Sequence, residues 1–468
     1  MTATPAASSA VRMGTPAGRA VVAAATLGSG MALLDGTVVN VALRTIGEDL
    51  DASLAQLQWV TNAYLLTLAS LILLGGSFGD RFGRRRVFVI GVVWFAAASL
   101  ACGLAPNVDV LIGARALQGI GGALLTPGSL AMIQGAFAPE DRAPAIGAWS
   151  GLGSIAAAIG PFVGGGLVDY TSWRWIFLLN LPVAATTVVL AVRAVPETRD
   201  PEASARFDAA GAVLAAVALG ATTYALIGWG DATALLAAAI GLAAGVAFVV
   251  VEAHVAAPML DLRLFHDLTF SAANAMTLVV YGALGSLTFF VVLELQTAAG
   301  WSALAAGAAF VPMTLIMVLL ASSGGRLAQR IGPRLPMSVG PAVMALGVLA
   351  LSRIGPGVSF WTDVLPAIVV FGLGLAMMVA PLTATVLAAA PDQQAGLASG
   401  VNNAVARAGS LLAVAALPIA VGLGGAEYAV PATFNAAFHH AMLICAGLLL
   451  LGGAIAWLTI RRPARMGP

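Results

Sequence analysis

Lysine is missing from this chain, so all 22 basic residues are arginines. Charge of either sign is scarce: 9% of residues are charged and 60% are hydrophobic. Soluble domains carry about a quarter charged residues, so this chain cannot cover a water-facing surface in the ordinary way. Cysteine is nearly absent. Cys102 and Cys445 both lie inside apolar runs, which excludes a disulfide framework and leaves two small core residues. The four histidines, His254, His266, His439 and His440, have no metal-ligand spacing and read as interfacial. No phosphate-binding loop or nucleotide-binding segment occurs. ATP is thereby excluded as an energy source, which leaves an ion gradient or facilitated diffusion. No cofactor is expected. A net charge of +1 says little about partners, and no nucleic-acid partner is expected.

What the chain has in excess is apolar length. Apolar stretches recur from end to end, many interrupted by Gly and Pro as membrane helices tolerate, each long enough for a helix to cross about 30 Å of hydrocarbon with roughly 20 residues. They do not alternate as the strands of a membrane barrel would. Spans are predicted at 20–42, 54–77, 87–105, 108–132, 144–168, 174–194, 209–228, 232–254, 268–297, 302–325, 335–354, 361–389, 396–422 and 437–460, fourteen in all. The seventh and eighth are separated only by Gly228-Trp229-Gly230-Asp231, where one long excursion or a re-entrant hairpin also fits.

Arginine placement tests the count. Basic residues favour cytoplasmic loops. With a cytoplasmic N-terminus, only Arg44, Arg174 and Arg353 fall in the opposite loops. Arg115 and Arg407 fall within spans, and every other arginine lies on the cytoplasmic side. A missed or extra span would scramble that pattern. Both termini are therefore expected in the cytoplasm, with no cleaved leader.

The sequence also repeats itself. The segment from Gly76 to Arg85 (GSFGDRFGRR) returns as Gly325 to Arg334 (GRLAQRIGPR), and Gly119-Ile120-Gly121-Gly122-Ala123 returns as Gly372-Leu373-Gly374-Leu375-Ala376. Six spans thus repeat as six. The expected divisions are a tail at 1–19, a six-helix half at 20–194, two inserted helices with linkers at 195–267, a second six-helix half at 268–460 and a tail at 461–468. Parallel repeats of this kind build transporters with a site between the halves near the bilayer midplane.

At these residues the chain resembles the major facilitator superfamily, and within it the fourteen-span drug:proton antiporters. Gly76, Asp80, Arg81, Gly83, Arg84 and Arg85 resemble the loop signature between spans two and three. Arg115-Ala116-Leu117-Gln118-Gly119 is similar to the intramembrane arginine motif of span four. Gly153, Gly160, Pro161, Gly164 and Gly165 resemble the span-five motif of antiporters. Leu34 to Leu43 resembles the first span of the drug exporters. The resemblance implies an all-α major-facilitator fold and a monomer in the bacterial inner membrane. It also implies export of small amphipathic molecules driven by the proton gradient. Uptake or uniport of a nutrient, or a transport-inactive receptor or lipid-handling scaffold, are the other readings.

The residues themselves name the candidates. A carboxylate at membrane depth is costly and usually faces a cavity or a partner. Asp35 is such a group, suited to taking up and releasing a proton, although an aspartate paired only for packing would look the same. Arg115 sits at matching depth, so proton binding to Asp35 would release it. A buried arginine that only bonds helix carbonyls is the alternative. Glu294 reads equally as a second proton site, a cation-recognition site or a solvated rim residue. Glu252 and Asp231 read as interfacial. Candidate cavity residues are Asn40, Trp59, Asn62, Tyr64, Gln118, Asn180, Asn403 and Arg407, which are polar or aromatic within spans. Arg407 also suits a packing role. Asp80 is expected to cap a neighbouring helix or pair with an arginine such as Arg142, forming an inner-gate latch. Gly76 is expected to allow close helix approach, and Ala156, Gly160 and Gly164 to form a small-residue face around the Pro161 bend.

Overall fold

In the computed structural model, residues 11–200, 208–391, 394–424 and 427–460 are described, without the side chains at 154–158 and 427. The termini, Arg206 and the side chain of Ala156 lie outside them. The chain runs α1 (Pro16–Leu50), α2 (Leu54–Phe82), α3 (Arg84–Gly103), α4 (Val108–Ala136), α5 (Pro139–Tyr170), α6 (Trp175–Leu178), α7 (Asn180–Ala194), α8 (Ala209–Ile227) and α9 (Ala234–His254). It continues through α10 (Leu268–Thr297), α11 (Ala303–Ala308), α12 (Val311–Ile331), α13 (Arg334–Leu351), α14 (Leu365–Ala388), α15 (Ala395–Ala420) and α16 (Pro431–Thr459). Thirteen segments among the described residues are long and apolar enough to cross a membrane. The 32-residue α5, with its undescribed side chains at 154–158, lies outside that count. α8 and α9 are separate, adjacent helices, each counted as a candidate span, so the single-excursion alternative does not hold.

Local chemistry sets the boundaries. Ser53 and Gln56 form a reciprocal capping box at the start of α2, and Asn107, Asp208 and Asp267 cap α4, α8 and α10 with side-chain oxygens. Three predicted spans are interrupted in the same way. Pro182, Pro312 and Pro366 each lack the N–H that would reach the carbonyl four residues earlier, at Leu178, Ala308 and Thr362. α6 ends at Leu178, α11 ends at Ala308, and Thr362 lies in a π-helical turn (Phe360–Val364) that leads into α14.

The packing pairs follow the sequence repeat. α4 packs on α2 and α3, and α14 packs on α12 and α13. α1 lies against α5 and α7, and α10 against α15 and α16. A side chain at Gly75 would overlap the Ala123 carbonyl, and one at Gly324 would overlap that of Ala376. Close approach therefore falls to Gly75 rather than to the expected Gly76, whose nearest neighbour is an ordinary contact with Pro127. α8 packs on α9 and also reaches α2 and α15.

Helices of the first and last groups meet through hydrogen bonds at the arginine-poor end of the bundle. Asp169, at the end of α5, accepts the Ala303 and Leu304 amides at the start of α11, at 3.0 and 2.9 Å. Gln58 donates to the Val414 carbonyl at 2.8 Å, and Tyr428 to that of Ala52 at 2.7 Å. Arg44 and Gln296 each donate to a backbone carbonyl across the α1–α10 contact.

Gly121→Leu is expected to lower stability by about 1–3 kcal/mol, because a Cβ there already meets the Phe95 backbone at 2.7 Å. Gly147→Ala, with nothing within 4 Å in the interior of α5, is expected to leave stability unchanged or raise it by up to about 1 kcal/mol. Thermal unfolding of the purified variants checks both.

Candidate functional site

The centre of the first helix group is a closed polar network in an apolar bundle. Asp35 on α1 is 1% exposed, as is Arg115 on α4. Arg115 Nη1 lies 2.5 Å from Asp35 Oδ2. The other carboxylate oxygen accepts from Gln118 Nε2 at 2.8 Å. That amide also donates to Ser99 Oγ on α3 at 2.7 Å, and Asn180 on α7 donates to the same hydroxyl at 2.9 Å. Arg115 also donates to the Val60 carbonyl at 3.0 Å and to Gln118 Oε1. Its guanidinium stacks 4.4 Å from the centre of the Tyr64 ring, and Tyr64 in turn donates to the Ala32 carbonyl.

The arrangement gives both ions their partners. An unpaired charge in such surroundings is very expensive, and a pair is tolerated only when the remaining donors and acceptors are also met. Spacing on α4 explains how one helix serves both roles. Arg115 and Gln118 are three residues apart and share a face. Gly119 beside them lets α2 approach, since a side chain there would overlap the Tyr64 carbonyl.

Among the predicted cavity residues, Tyr64, Gln118 and Asn180 are locked into this network rather than lining open space. Asn62 is fully buried, with neither side-chain polar atom partnered, and Asn40 Oδ1 is buried and unpartnered as well. Trp59 is half-buried. Asn403 is exposed and bonds its own helix at the Ser399 carbonyl. Arg407 is half-buried, close enough for its charge to act on Tyr64 and Tyr281. Glu294 is fully buried, so the rim alternative does not hold. Glu252, two residues before the end of α9, is 3% exposed and accepts from the Leu260 amide at 2.9 Å. Among the described residues no three His, Cys, Asp or Glu come together as a metal site.

At the arginine-rich end the loop motif is arranged differently from expectation. Asp80 pairs with Arg84 at 2.9 Å, while Arg142 donates to the Phe137 carbonyl. The cap at the start of α3 is Glu197, which sequence reasoning missed. It accepts the Arg85 and Arg86 amides at 3.1 and 3.2 Å and lies 3.7 Å from the Arg85 guanidinium. Gly83, at φ +109°, leaves room for that carboxylate. A carboxylate just beyond the sixth span was the available signal. On α5, side chains at Gly160 and Gly164 would meet Thr37 and Val38 of α1, and one at Gly165 would meet Leu304 of α11. Gly153 has only an ordinary contact with Leu33, and the carbonyl of Pro161 occupies the space beside Gly307. The α5 motif therefore packs against both α1 and α11.

The Major Facilitator Superfamily profile matches residues 25–414. The tetracenomycin C resistance and export protein of Streptomyces glaucescens is 36% identical over 85% of this chain and 74% of its own length. The puromycin resistance protein of Streptomyces alboniger is 35% identical over 95% of this chain and 91% of its own. The methylenomycin A resistance protein of Bacillus subtilis is 34% identical over 94% of each chain. Among solved structures, a bacterial homologue of the human lysosomal transporter Spinster superposes with a TM-score of 0.66 at 16% identity, covering 96% of this chain and 99% of that one. The xylose transporter of E. coli superposes with a TM-score of 0.62 at 14% identity, covering 95% and 97%.

A double-mutant cycle on Asp35→Asn and Arg115→Gln is expected to show a coupling of about 1–3 kcal/mol. Simple additivity in thermal unfolding would mean that the pair does not act as a unit.

Proposed function

We propose that this chain, which belongs to the major facilitator superfamily, exports small amphipathic organic molecules, antibiotics among them, in exchange for protons. The single observation that carries the coupling is the buried contact of Asp35 with Arg115 and Gln118. The relatives' names, which speak of resistance and export, support the direction and the class of cargo.

The chemistry follows from the network. A proton arriving at Asp35 cancels one of two opposed charges. Arg115 then loses its counter-ion while keeping the Val60 carbonyl, Gln118 Oε1 and the Tyr64 ring. α1 and α4 are no longer drawn together by charge, and the helix packing shifts to a second arrangement. Loss of the proton restores the pair. Both members of the exchange therefore act on one element, which is the requirement for coupling. The unpartnered amide of Asn62 and the unpartnered Oδ1 of Asn40 suit polar groups of the cargo or water. Arg407 offers a cation to a neutral or weakly acidic molecule.

The arginine-rich end is read as cytoplasmic, in a bacterial inner membrane, with fourteen spans, both termini inside and a monomer as the working unit. Two six-helix halves rock about the α5–α11 and α2–α15 contacts. The hydrogen bonds of Asp169, Gln58 and Tyr428 close the outer end in this arrangement, and Glu197 with Arg85 latches the inner loop. The proton gradient is the energy source. No cofactor enters, and the molecule is a transporter rather than an enzyme.

Expression in an efflux-deficient host is expected to raise the inhibitory concentration several-fold for at least one of puromycin, methylenomycin A and tetracenomycin C. Asp35→Asn is expected to return it to the host level with an unchanged amount of folded protein. Protection by the variant equal to that of the parent would refute the coupling role of Asp35.

A further inference from the structure

A second carboxyl group stands apart from that network. Glu294 lies three residues before the end of α10, at the arginine-poor end. Its side chain is fully buried, yet among the described residues it forms no ion pair. Oε1 accepts from Asn435 Nδ2 at 2.5 Å, and Oε2 has no partner. An isolated carboxylate buried in apolar surroundings is very costly, whereas the neutral acid is not. The unpartnered Oε2 is the natural seat of a proton.

What joins this group to the exterior is Asn435. Its amide holds Glu294 on one side and the Ile354 carbonyl on the other, the latter at 2.9 Å. The same residue lines an open pocket of about 710 Å³, together with Arg353, Asp363, His439 and His440. Glu294 itself does not line that pocket. One amide side chain thus separates the buried acid from pocket water. His439 lies 3.2 Å from the Ser352 carbonyl through Nδ1.

Glu294 and Asp35 also differ in depth. α1 and α10 run side by side, and Gln296 exchanges hydrogen bonds with the levels of Val41 and Arg44. Glu294 is therefore level with about residue 40 of α1, which leaves Asp35 roughly 8 Å further from the arginine-poor end at 1.5 Å per residue. The titratable or charged groups nearest Glu294 on elements around it are Arg44, Glu48 and Asp49 on α1, Arg353 in the loop after α13, Asp363 in the π-helical turn, and His439 and His440 on α16; α15, which also packs on α10, carries Arg407, but near the level of Tyr281, about four turns from Glu294. Arg44 pairs with Glu48 at 2.8 Å, so it does not neutralise Glu294. No such group lies on α11 or α14.

We propose that Glu294 is a second proton-binding site, separate from Asp35, that exchanges with water at the arginine-poor face through the pocket floored by Asn435. Rotation of the Asn435 amide away from Oε1 opens the path. A proton from pocket water, or from a protonated His439 or His440, adds to Oε2 and gives the neutral acid. The reverse step returns it to pocket water. Asn435 neither gains nor loses a proton. As the proton-coupling role, this rests on the antiport reading above; as a proton site, it stands without it.

The test uses the full chain reconstituted in lipid, with infrared difference spectroscopy of the protonated-carboxyl band during a pH jump in the external buffer. No transported compound is needed. A component of the band is expected to be shared by the parent and Asp35→Asn and lost in Glu294→Gln, which keeps only the contributions of other carboxyl groups such as Asp35. The response of that component to the jump is expected to slow at least tenfold in Asn435→Leu, where the amide is replaced by an apolar plug. A Glu294→Gln spectrum identical to that of the parent, or no carboxyl band at all in Asp35→Asn, overturns the site. An unslowed response in Asn435→Leu overturns the route. A transport assay on the same vesicles separates the two readings. If export proves proton-independent while the Glu294 band behaves as stated, the coupling reading fails and the proton site stands.

Discussion

One constraint organises the molecule: a carboxylate and a guanidinium sit together where almost no water reaches either. The Asp35–Arg115 contact is stable only while Gln118, Ser99, Asn180, Tyr64 and the Val60 carbonyl complete its hydrogen bonds. Those residues come from α1, α2, α3, α4 and α7, so the electrostatics of one pair dictate how a whole helix group packs. The same dependence makes the group responsive. Changing the charge on one member alters the balance for every helix that contributes a partner.

Close backbone contact is what allows those helices to converge. Glycines on α2, α3 and α4 leave no room for side chains, and the equivalent positions on α12 and α14 do the same in the second group. Contacts between the groups are of another kind. They combine hydrogen bonds near helix ends, such as Asp169 to the start of α11, with packing of α5 on α11 and α12 and of α2 on α15.

Much of this was legible in the sequence, for physical reasons. Bilayer thickness forces long apolar runs, so the helices announce themselves. Asp35 and Arg115 stood out because charge inside such a run is expensive, and their matched depths predicted the contact. The broken helices were less obvious, although the rule is local: Pro182, Pro312 and Pro366 each remove one N–H, and the preceding helix stops at the unpaired carbonyl or the chain widens into a π-helical turn. Glu197 and Asp169 were invisible because their roles depend on which helix start folds back to meet them. A carboxylate at a span end looks the same whether it caps a distant helix or faces water. Glu252 is another such case, its partner being a loop amide eight residues on.

The central claim is that proton and cargo move in opposite directions through one coupled protein. Vesicles holding the reconstituted chain, a compound it exports and a trapped pH dye, diluted into compound-free buffer with no pre-set pH gradient, test it directly. With the cargo's only gradient directed outwards, the lumen is predicted to acidify as the compound leaves, and to do so only when the chain is present. Exit of the compound at the same rate with no change in luminal pH would contradict proton exchange.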